Sequence, residues 1–145
     1  MEVRKAETER IKVEIDSLSR NEEFARVVAA VFMSRMNPTL EEIDDVKTAV
    51  SEAVTNAVIH GYRGEAGKIY IEAEIEGNLL TLSVQDKGVG IIDLKRAMEP
   101  MYTTDTSGER SGMGFSFMEA FMDEVSVDTK PGLGTKVTMK KRIGG

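Results

Sequence analysis

The sequence contains no cysteine and only one histidine among its 145 residues. The first absence excludes a disulfide framework, a thiolate metal site and a cysteine nucleophile, and the second excludes a metal site built from several histidines. No apolar run approaches the roughly 20 residues that a membrane-spanning helix needs. The N-terminal stretch MEVRKAETER is charged and lacks the apolar centre of a signal peptide. We therefore expect a cytoplasmic protein that does not contact a membrane.

The sequence also has fewer basic than acidic residues. Lysine and arginine total 19 against 25 aspartates and glutamates, and the formal net charge is −6. A general nucleic-acid binder needs a basic face that displaces phosphate counterions, so we predict no direct contact with nucleic acid. An anionic ligand would need a metal ion and backbone N–H groups as its source of positive field, because the overall charge does not provide one.

Alternating and helical apolar patterns follow one another along the chain and predict its elements. Strands are predicted at 11–16, 69–75, 80–84, 124–129 and 135–142, and helices at about 19–36, 39–60 and 112–122. Helices that can all cover one face of a sheet indicate a two-layer α/β sandwich with a mixed, mainly antiparallel sheet. No repeat or linker divides the chain, so we predict a single domain over residues 1–145.

Local signals set the helix boundaries in this prediction. Ser19 with Glu22, and Thr39 with Glu42, each have the spacing of a capping box. Gly61 is expected to act as the C-terminal cap of the second helix. The first helix carries one apolar stripe, formed by Phe24, Val27, Val28, Val31 and Phe32.

The stretch SEAVTNAVIHGY, residues 51–62, contains three polar side chains at helical spacing. Glu52, Asn56 and His60 stand at i, i+4 and i+8, which places them in one row on a helix. A carboxylate one turn before an amide gives two hard oxygen donors, which suit a Mg²⁺ ion that also binds phosphate oxygens. Two other interpretations stay open: the row is a solvated polar stripe, and His60 hydrogen-bonds the last carbonyls of the helix.

The stretch QDKGVGI, residues 85–91, directly follows a predicted strand. Asp86 stands at the end of that strand, and Gly88 and Gly90 allow the backbone to approach a ligand closely. A carboxylate here can accept a hydrogen bond from the exocyclic amine of adenine, which guanine lacks at the same position. The alternative is a tight turn, in which Asp-x-Gly is common. The stretch does not match the dinucleotide-binding fingerprint, because no third glycine opens a helix after it.

The stretch ERSGMGFSF, residues 109–117, contains two glycines at the start of a predicted helix. The first N–H groups of a helix are unpaired and carry partial positive charge, so they can form a phosphate site. Arg110 offers a fork of donors to a terminal phosphate, and the segment 102–107 could close over a nucleotide as a lid. A helix cap after a flexible loop is the alternative. The candidate nucleotide-binding residues of this region are Thr104, Arg110, Ser111, Gly112, Met113 and Gly114.

Taken together and in this order, the three stretches resemble the nucleotide motifs of the GHKL superfamily, whose members include gyrase, Hsp90, MutL and histidine kinases. The resemblance covers about residues 40–140. The runs VKTAVSEAVTNAVIHGY, ERSGMGF and FMEAFMDEV look still more like the sporulation anti-sigma F factors of endospore-forming bacteria, and that resemblance extends over nearly the whole chain. It implies a Bergerat-type ATP-binding fold, with ATP and Mg²⁺ as cofactors.

The same resemblance implies a homodimer that binds an RNA polymerase sigma factor and phosphorylates a serine of a small anti-anti-sigma protein. In this carry-over Glu52 is catalytic and polarises the serine hydroxyl, Asn56 is the Mg²⁺ ligand, and Asp86 reads adenine. Thr135 supports the base, although a hairpin turn explains this threonine equally well. Arg26, on the first helix, matches a partner-contacting arginine of the family.

Other functions compete with this interpretation. The catalytic domain of a two-component histidine kinase would need a phosphoacceptor histidine, but the one histidine here lies inside the nucleotide motif. An ATP-dependent binding module that sequesters a stress-response sigma factor, without significant kinase activity, remains a full alternative. A phosphoryl-transfer assay would separate that module from a serine kinase.

Overall fold

The computed structural model of the chain describes residues 8–91, 98 and 114–144. Its elements in chain order are β1 (Glu9–Asp16), α1 (Asn21–Met33), α2 (Leu40–Asn56), β2 (Lys68–Glu76), β3 (Leu79–Asp86), α3 (Gly114–Phe121), β4 (Glu124–Lys130) and β5 (Gly134–Arg142). A short 3-10 turn, Ser34–Met36, follows α1, and a π turn, Ala57–Gly61, follows α2. The predicted order of strands and helices is confirmed.

The five strands form one sheet in the order β1-β2-β3-β5-β4. Every described pair is antiparallel. In the register of the central strands, Ile71 lies opposite Val13 on one side and opposite Val84 on the other. The predicted α/β sandwich with a mainly antiparallel sheet is therefore confirmed.

The two faces of the sheet differ sharply in polarity. One face packs against the helices, and its buried residues include Ile69, Ile71, Ala73, Ile75, Leu80, Leu82, Val84, Val137 and Met139. The opposite face carries cross-strand ion pairs, such as Arg10 with Glu74 at 2.9 Å. This period-2 separation is what the alternating sequence predicts. Among the residues described, no helix has both the length and the apolar character that crossing a bilayer requires.

Helix α1 buries a different side from the one that its apolar stripe predicts. Its buried residues are Ala25, Ala29, Phe32 and Met33. Phe24, Val27 and Val31 are 52%, 47% and 61% exposed. Because small alanines let two helices approach closely, α1 packs on α2 through them and leaves these three larger side chains outside. We call Phe24, Val27 and Val31 the α1 stripe.

The predicted capping box at Ser19 is wrong. Helix α1 begins at Asn21, and no side chain caps its first turn. The carboxylate of Glu22 instead accepts hydrogen bonds from the hydroxyls of Ser51 and Thr55 on α2. A tertiary contact has therefore taken the side chain that the local pattern assigned to the cap.

The boundaries of α2 are partly as predicted. The capping box is confirmed, since Thr39 Oγ1 accepts from the Glu42 N–H at 3.1 Å and Glu42 Oε1 accepts from the Thr39 N–H at 2.9 Å. Gly61 is not the C-terminal cap, because it lies buried inside the π turn. The left-handed conformations occur later, at Arg63 and Gly64, with φ values of 54° and 79°.

Candidate nucleotide site

Beyond Asn56 the second helix widens into the π turn. The Tyr62 N–H donates to the carbonyl of Ala57 at 2.9 Å, five residues back instead of four. This widening breaks the α-helical row on which the sequence placed Glu52, Asn56 and His60. Glu52 and Asn56 remain one turn apart on α2 and half-buried, whereas His60 lies on the wider turn.

The π turn and the end of β3 meet through two glycines. A Cβ on Gly61 would lie 2.7 Å from the carboxyl carbon of Asp86, and a Cβ on Gly88 would lie 2.0 Å from the carbonyl oxygen of Gly61. The Val89 N–H donates to that same carbonyl at 2.9 Å. Only glycine allows an approach this close, so the structure brings the first two predicted stretches together.

Asp86 stands buried at this junction, with 5% of its surface exposed. Its Oδ1 accepts a hydrogen bond from the Gly88 N–H at 2.9 Å, and the Thr135 N–H also donates to the carboxylate. Burial raises the pKa of the Asp86 carboxyl, and these two hydrogen bonds oppose the rise without cancelling it. A buried carboxylate with an elevated pKa and few partners is suited to a ligand that donates a hydrogen bond.

The turn between β4 and β5 closes the other side of the junction. Thr129 Oγ1 accepts from the Ile91 N–H at 2.9 Å and lies 2.8 Å from Thr135 Oγ1. The Gly132 N–H donates to the carbonyl of Val89 at 2.7 Å. These bonds hold the loop after β3 against the last hairpin. Gly90, in that loop, faces the carbonyl of Lys130.

The chain that forms this glycine-lined junction matches a known family model. The model described as the histidine kinase-like ATPase domain matches residues 16–141. A Clostridium acetobutylicum protein named anti-sigma F factor is 57% identical over 125 residues, which cover 86% of this chain and 87% of that protein. The chain belongs to the anti-sigma F factor family.

A second relative and a solved structure are also similar to this chain. The anti-sigma F factor of Bacillus subtilis is 47% identical over 132 residues, which cover 90% of each chain. A crystal structure of the RsbU and RsbW domains of a Mycobacterium tuberculosis protein superposes with a TM-score of 0.67 at 20% identity. This match covers 93% of the present chain and 32% of that longer one, and it shows similarity of fold alone.

Several predicted residues of this anti-sigma F family chain lie outside the described residues. They are Thr104, Arg110, Ser111, Gly112 and Met113, together with the predicted lid at 102–107. Gly114 begins α3, which packs against α2. Thr135 is buried and lies opposite Asp86 in the sheet register. Of the third predicted stretch, the structure describes only the part in α3, which packs against α2.

The described residues of this family member contain no group of three or more histidine, cysteine, aspartate or glutamate side chains that could hold a metal ion. Glu52 and Asn56 supply a carboxylate and an amide oxygen one helical turn apart. This donor set fits a hydrated Mg²⁺ ion that also binds phosphate oxygens, and it does not fit a closed metal cage.

Sequence reasoning missed two residues that shape the site in this family chain. Tyr62 Oη accepts from the Lys87 N–H at 2.8 Å and donates to the carbonyl of Lys68. It thereby ties the residue after Asp86 to the start of β2. Thr129 could have been found, because it is a polar residue on the side of β4 that otherwise carries valines. Tyr62 gave no comparable signal.

Proposed function

We propose that the chain is an anti-sigma factor that holds a sigma-F-type RNA polymerase sigma factor inactive and uses Mg·ATP to phosphorylate a serine of its anti-anti-sigma antagonist. The observation that carries the proposal is the junction of Gly61, Asp86 and Gly88. Gly61 lies so close to the Asp86 carboxylate, and Gly88 so close to the Gly61 carbonyl, that only glycine fits at positions 61 and 88. The 57% identity to an anti-sigma F factor supports the sigma-binding part. Serine specificity, the sigma-F target and Mg²⁺ go beyond the family assignment.

In this proposal Asp86 accepts a hydrogen bond from the exocyclic amine of adenine. The buried carboxylate has two backbone donors and retains lone pairs for a third. We assign nucleotide contacts to the backbone of Gly88 and Gly90, which also lie against the carbonyls of Gly61 and Lys130. Thr135 supports the base beside Asp86. A buried acceptor left unpaired is costly, so the site discriminates against a base that cannot donate there.

The phosphate end of the proposed site lies along α2. Asn56 holds Mg²⁺, which when bound neutralises charge on the phosphates, and Glu52 orients the serine hydroxyl and polarises its O–H bond. Phosphoryl transfer depends mainly on positioning and charge neutralisation, so these groups are sufficient in kind. We also assign phosphate or lid contacts to Thr104, Arg110, Ser111, Gly112, Met113 and Gly114.

Partner binding is proposed at α1. Arg26 is 34% exposed at its side chain, and its buried Nε has no hydrogen-bond partner among the residues described. The α1 stripe lies on the same helix and exposes three large apolar side chains. The Nη1 of Arg26 lies 3.8 Å from the Glu23 carboxylate. Aromatic side chains and arginine are both enriched at protein interfaces. We further propose that the protein acts as a cytoplasmic homodimer of single-domain subunits, without direct nucleic-acid or membrane contact.

The kinase activity can be tested by transfer of radiolabelled phosphate to the purified anti-anti-sigma protein. Glu52→Ala should abolish transfer and leave nucleotide binding measurable, because Glu52 acts on the serine and not on the base. Near-normal transfer by this variant would remove Glu52 from the mechanism. Wild-type protein that binds the sigma factor and ATP but transfers no phosphate would instead identify an ATP-dependent sequestration module.

The metal role of Asn56 and the partner assignment need separate measurements. Asn56→Ala should weaken Mg·ATP binding in calorimetry, and an unchanged affinity would contradict the role of Asn56 as Mg²⁺ ligand. A pull-down with and without ATP, followed by mass spectrometry, identifies the bound partners. Arg26→Ala should lose the sigma factor from that pull-down while keeping nucleotide affinity.

A further inference from the structure

One carboxylate joins the helix that exposes the α1 stripe to the helix that carries the candidate catalytic residues. Glu22, in the first turn of α1, accepts a hydrogen bond from Ser51 on Oε1 and from Thr55 on Oε2, the latter at 3.0 Å. Thr55 is buried, with 6% of its surface exposed, and Glu22 and Ser51 are half-buried. The contact is therefore part-buried between α1 and α2.

The two hydroxyls directly precede the two candidate site residues. Ser51 and Thr55 form one row on α2, and Glu52 and Asn56 form the next row, about 100° further around the helix. A side chain that binds both hydroxyls restrains the rotation of α2 about its axis, together with the buried apolar residues of that helix. It does so at the same two turns from which Glu52 and Asn56 project.

Both partners in this contact have local alternatives that they do not use. A glutamate in the first turn of a helix normally interacts with the unpaired N–H groups there, yet α1 has no side-chain cap. A threonine inside a helix normally hydrogen-bonds the carbonyl four residues back. Here Glu22 and Thr55 form a hydrogen bond with each other across the interface. A change in the position of α1 therefore acts on α2 through this bond.

We infer that Glu22 is a positioning residue that couples partner docking on α1 to the nucleotide site on α2. The inference rests on the proposed function. A partner that contacts the α1 stripe shifts the equilibrium position of α1, and Glu22 transmits the shift to Glu52 and Asn56 through Ser51 and Thr55. By linkage, a nucleotide bound at α2 changes the affinity of α1 for its partner by the same factor.

The test measures by calorimetry how tightly the protein binds a purified sigma-F-type sigma factor, with and without a non-hydrolysable Mg·ATP analogue. The ratio of these two affinities measures the coupling. Coupling in the wild type should change this affinity by about fivefold or more. Glu22→Gln and the near-isosteric Thr55→Val should each bring the ratio to within about twofold of one, since each removes part of the contact. Glu41→Gln, which removes an exposed carboxylate from the first turn of α2, should behave as the wild type.

Two further measurements separate coupling from a merely structural role. The affinity for the sigma factor without nucleotide should stay close to the wild-type value in both variants, because the α1 stripe is untouched. The double variant should be no worse than either single variant, because both changes break one contact. Loss of nucleotide-free sigma binding together with an unchanged ratio would mean that Glu22 only holds the helices together, and would overturn the inference.

The outcomes for the wild-type protein distinguish the two proposals. Wild-type protein that binds the nucleotide analogue and the sigma factor with an affinity ratio of one would overturn the coupling inference and leave the proposed function standing. Variants that keep the full wild-type ratio would do the same. Wild-type protein that binds neither the nucleotide nor the sigma factor would refute the proposed function, and the inference would fail with it.

Discussion

The two ends of β3 use glycine for different physical reasons. At its start, Gly77 in the turn from β2 has a φ of 60°, and a Cβ there would meet no atom within 4 Å. At its end, Gly88 lies against the carbonyl of Gly61, where a Cβ would come within 2.0 Å. The first glycine serves the conformation of a turn, and the second serves contact between two segments.

Close packing therefore requires glycine at the end of β3, whereas the backbone conformation of a turn favours it at the start. The turn at Gly77 reverses the chain at the surface, and its neighbour Asn78 accepts the Ile143 N–H at 2.8 Å. The end at Gly88 has no spare volume, and a buried carboxylate stands beside it. Substitutions at the end should therefore affect ligand binding and stability together, whereas substitutions at the start should affect stability alone.

The largest effect is expected for Gly88→Ala. The added methyl group would overlap the Gly61 carbonyl, and the crowding atoms are backbone atoms, which cannot rotate away as a side chain can. Overpacking of this kind typically costs 1–3 kcal/mol, and we expect about 3 kcal/mol here. Urea unfolding should show a lower midpoint, and calorimetry should detect no nucleotide binding. Wild-type affinity in this variant would mean that the junction is not the nucleotide site.

Asp86→Asn should separate binding from stability. The amide oxygen can still accept from the Gly88 N–H, while the charge that burial disfavours is removed. We expect the ligand-free variant to unfold at the same temperature as the wild type or higher, and to lose adenine nucleotide binding by at least about a hundredfold, as expected for an unpaired buried polar contact. A destabilised variant with normal affinity would contradict both assignments.

The pH dependence follows from the same residue, with the sign set by the raised pKa of Asp86. Because the native state holds this proton more tightly than the unfolded state, the stability contributed by Asp86 is fully present below the unfolded pKa and is lost as pH rises through the native pKa. Nucleotide affinity needs the ionised carboxylate, so it should fall as pH drops through the native pKa. Calorimetry and thermal unfolding across this range should therefore change in opposite directions.

Much of the fold could be predicted from periodicity. The strand alternation placed Ile69, Ile71 and Val84 on the buried face, and the Thr39 capping box set the start of α2. The buried side of α1 was predicted less well. Periodicity identifies the apolar sides of a helix, but it does not show which of two neighbouring sides packs against the protein. That choice depends on how closely the alanines of α1 let it pack against α2.

The sequence singled out the residues of the candidate site but not their contacts with one another. Asp86 and Gly88 were found from a strand end followed by glycines, and the structure places them against Gly61. The π turn was not predictable, because it ends the helix and too few residues follow it for a shift in the helical period to show. Tyr62 was missed, and Glu22 was assigned to a helix cap, because each contacts a partner that is distant in sequence.

Tyr62→Phe should give an intermediate effect at the end of β3. The variant keeps the ring and removes the hydroxyl that accepts from the Lys87 N–H. A lost hydrogen bond of this type costs about 1 kcal/mol, so we expect a threefold to tenfold weaker nucleotide affinity.

The matched control for this change is Tyr70→Phe. The Tyr70 ring lies 5.0 Å from Lys87 Nζ, and its hydroxyl makes no hydrogen bond within the described part of the chain. We expect wild-type nucleotide affinity in this variant by calorimetry. Equal weakening by both variants would show that the contact of Tyr62 with the loop after β3 does not position Asp86.

Gly77→Ala should give the smallest effect on the site and so complete the comparison of the two ends. Its cost is conformational, since an L-residue at a φ near 60° is disfavoured by about 1–2 kcal/mol and no atom crowds the new methyl group. Urea unfolding should show this loss, while nucleotide affinity stays within about twofold of the wild type, because a turn at the far end of β3 contributes nothing to the junction. A large loss of affinity would show instead that the whole strand, and not only its crowded end, sets the position of Asp86.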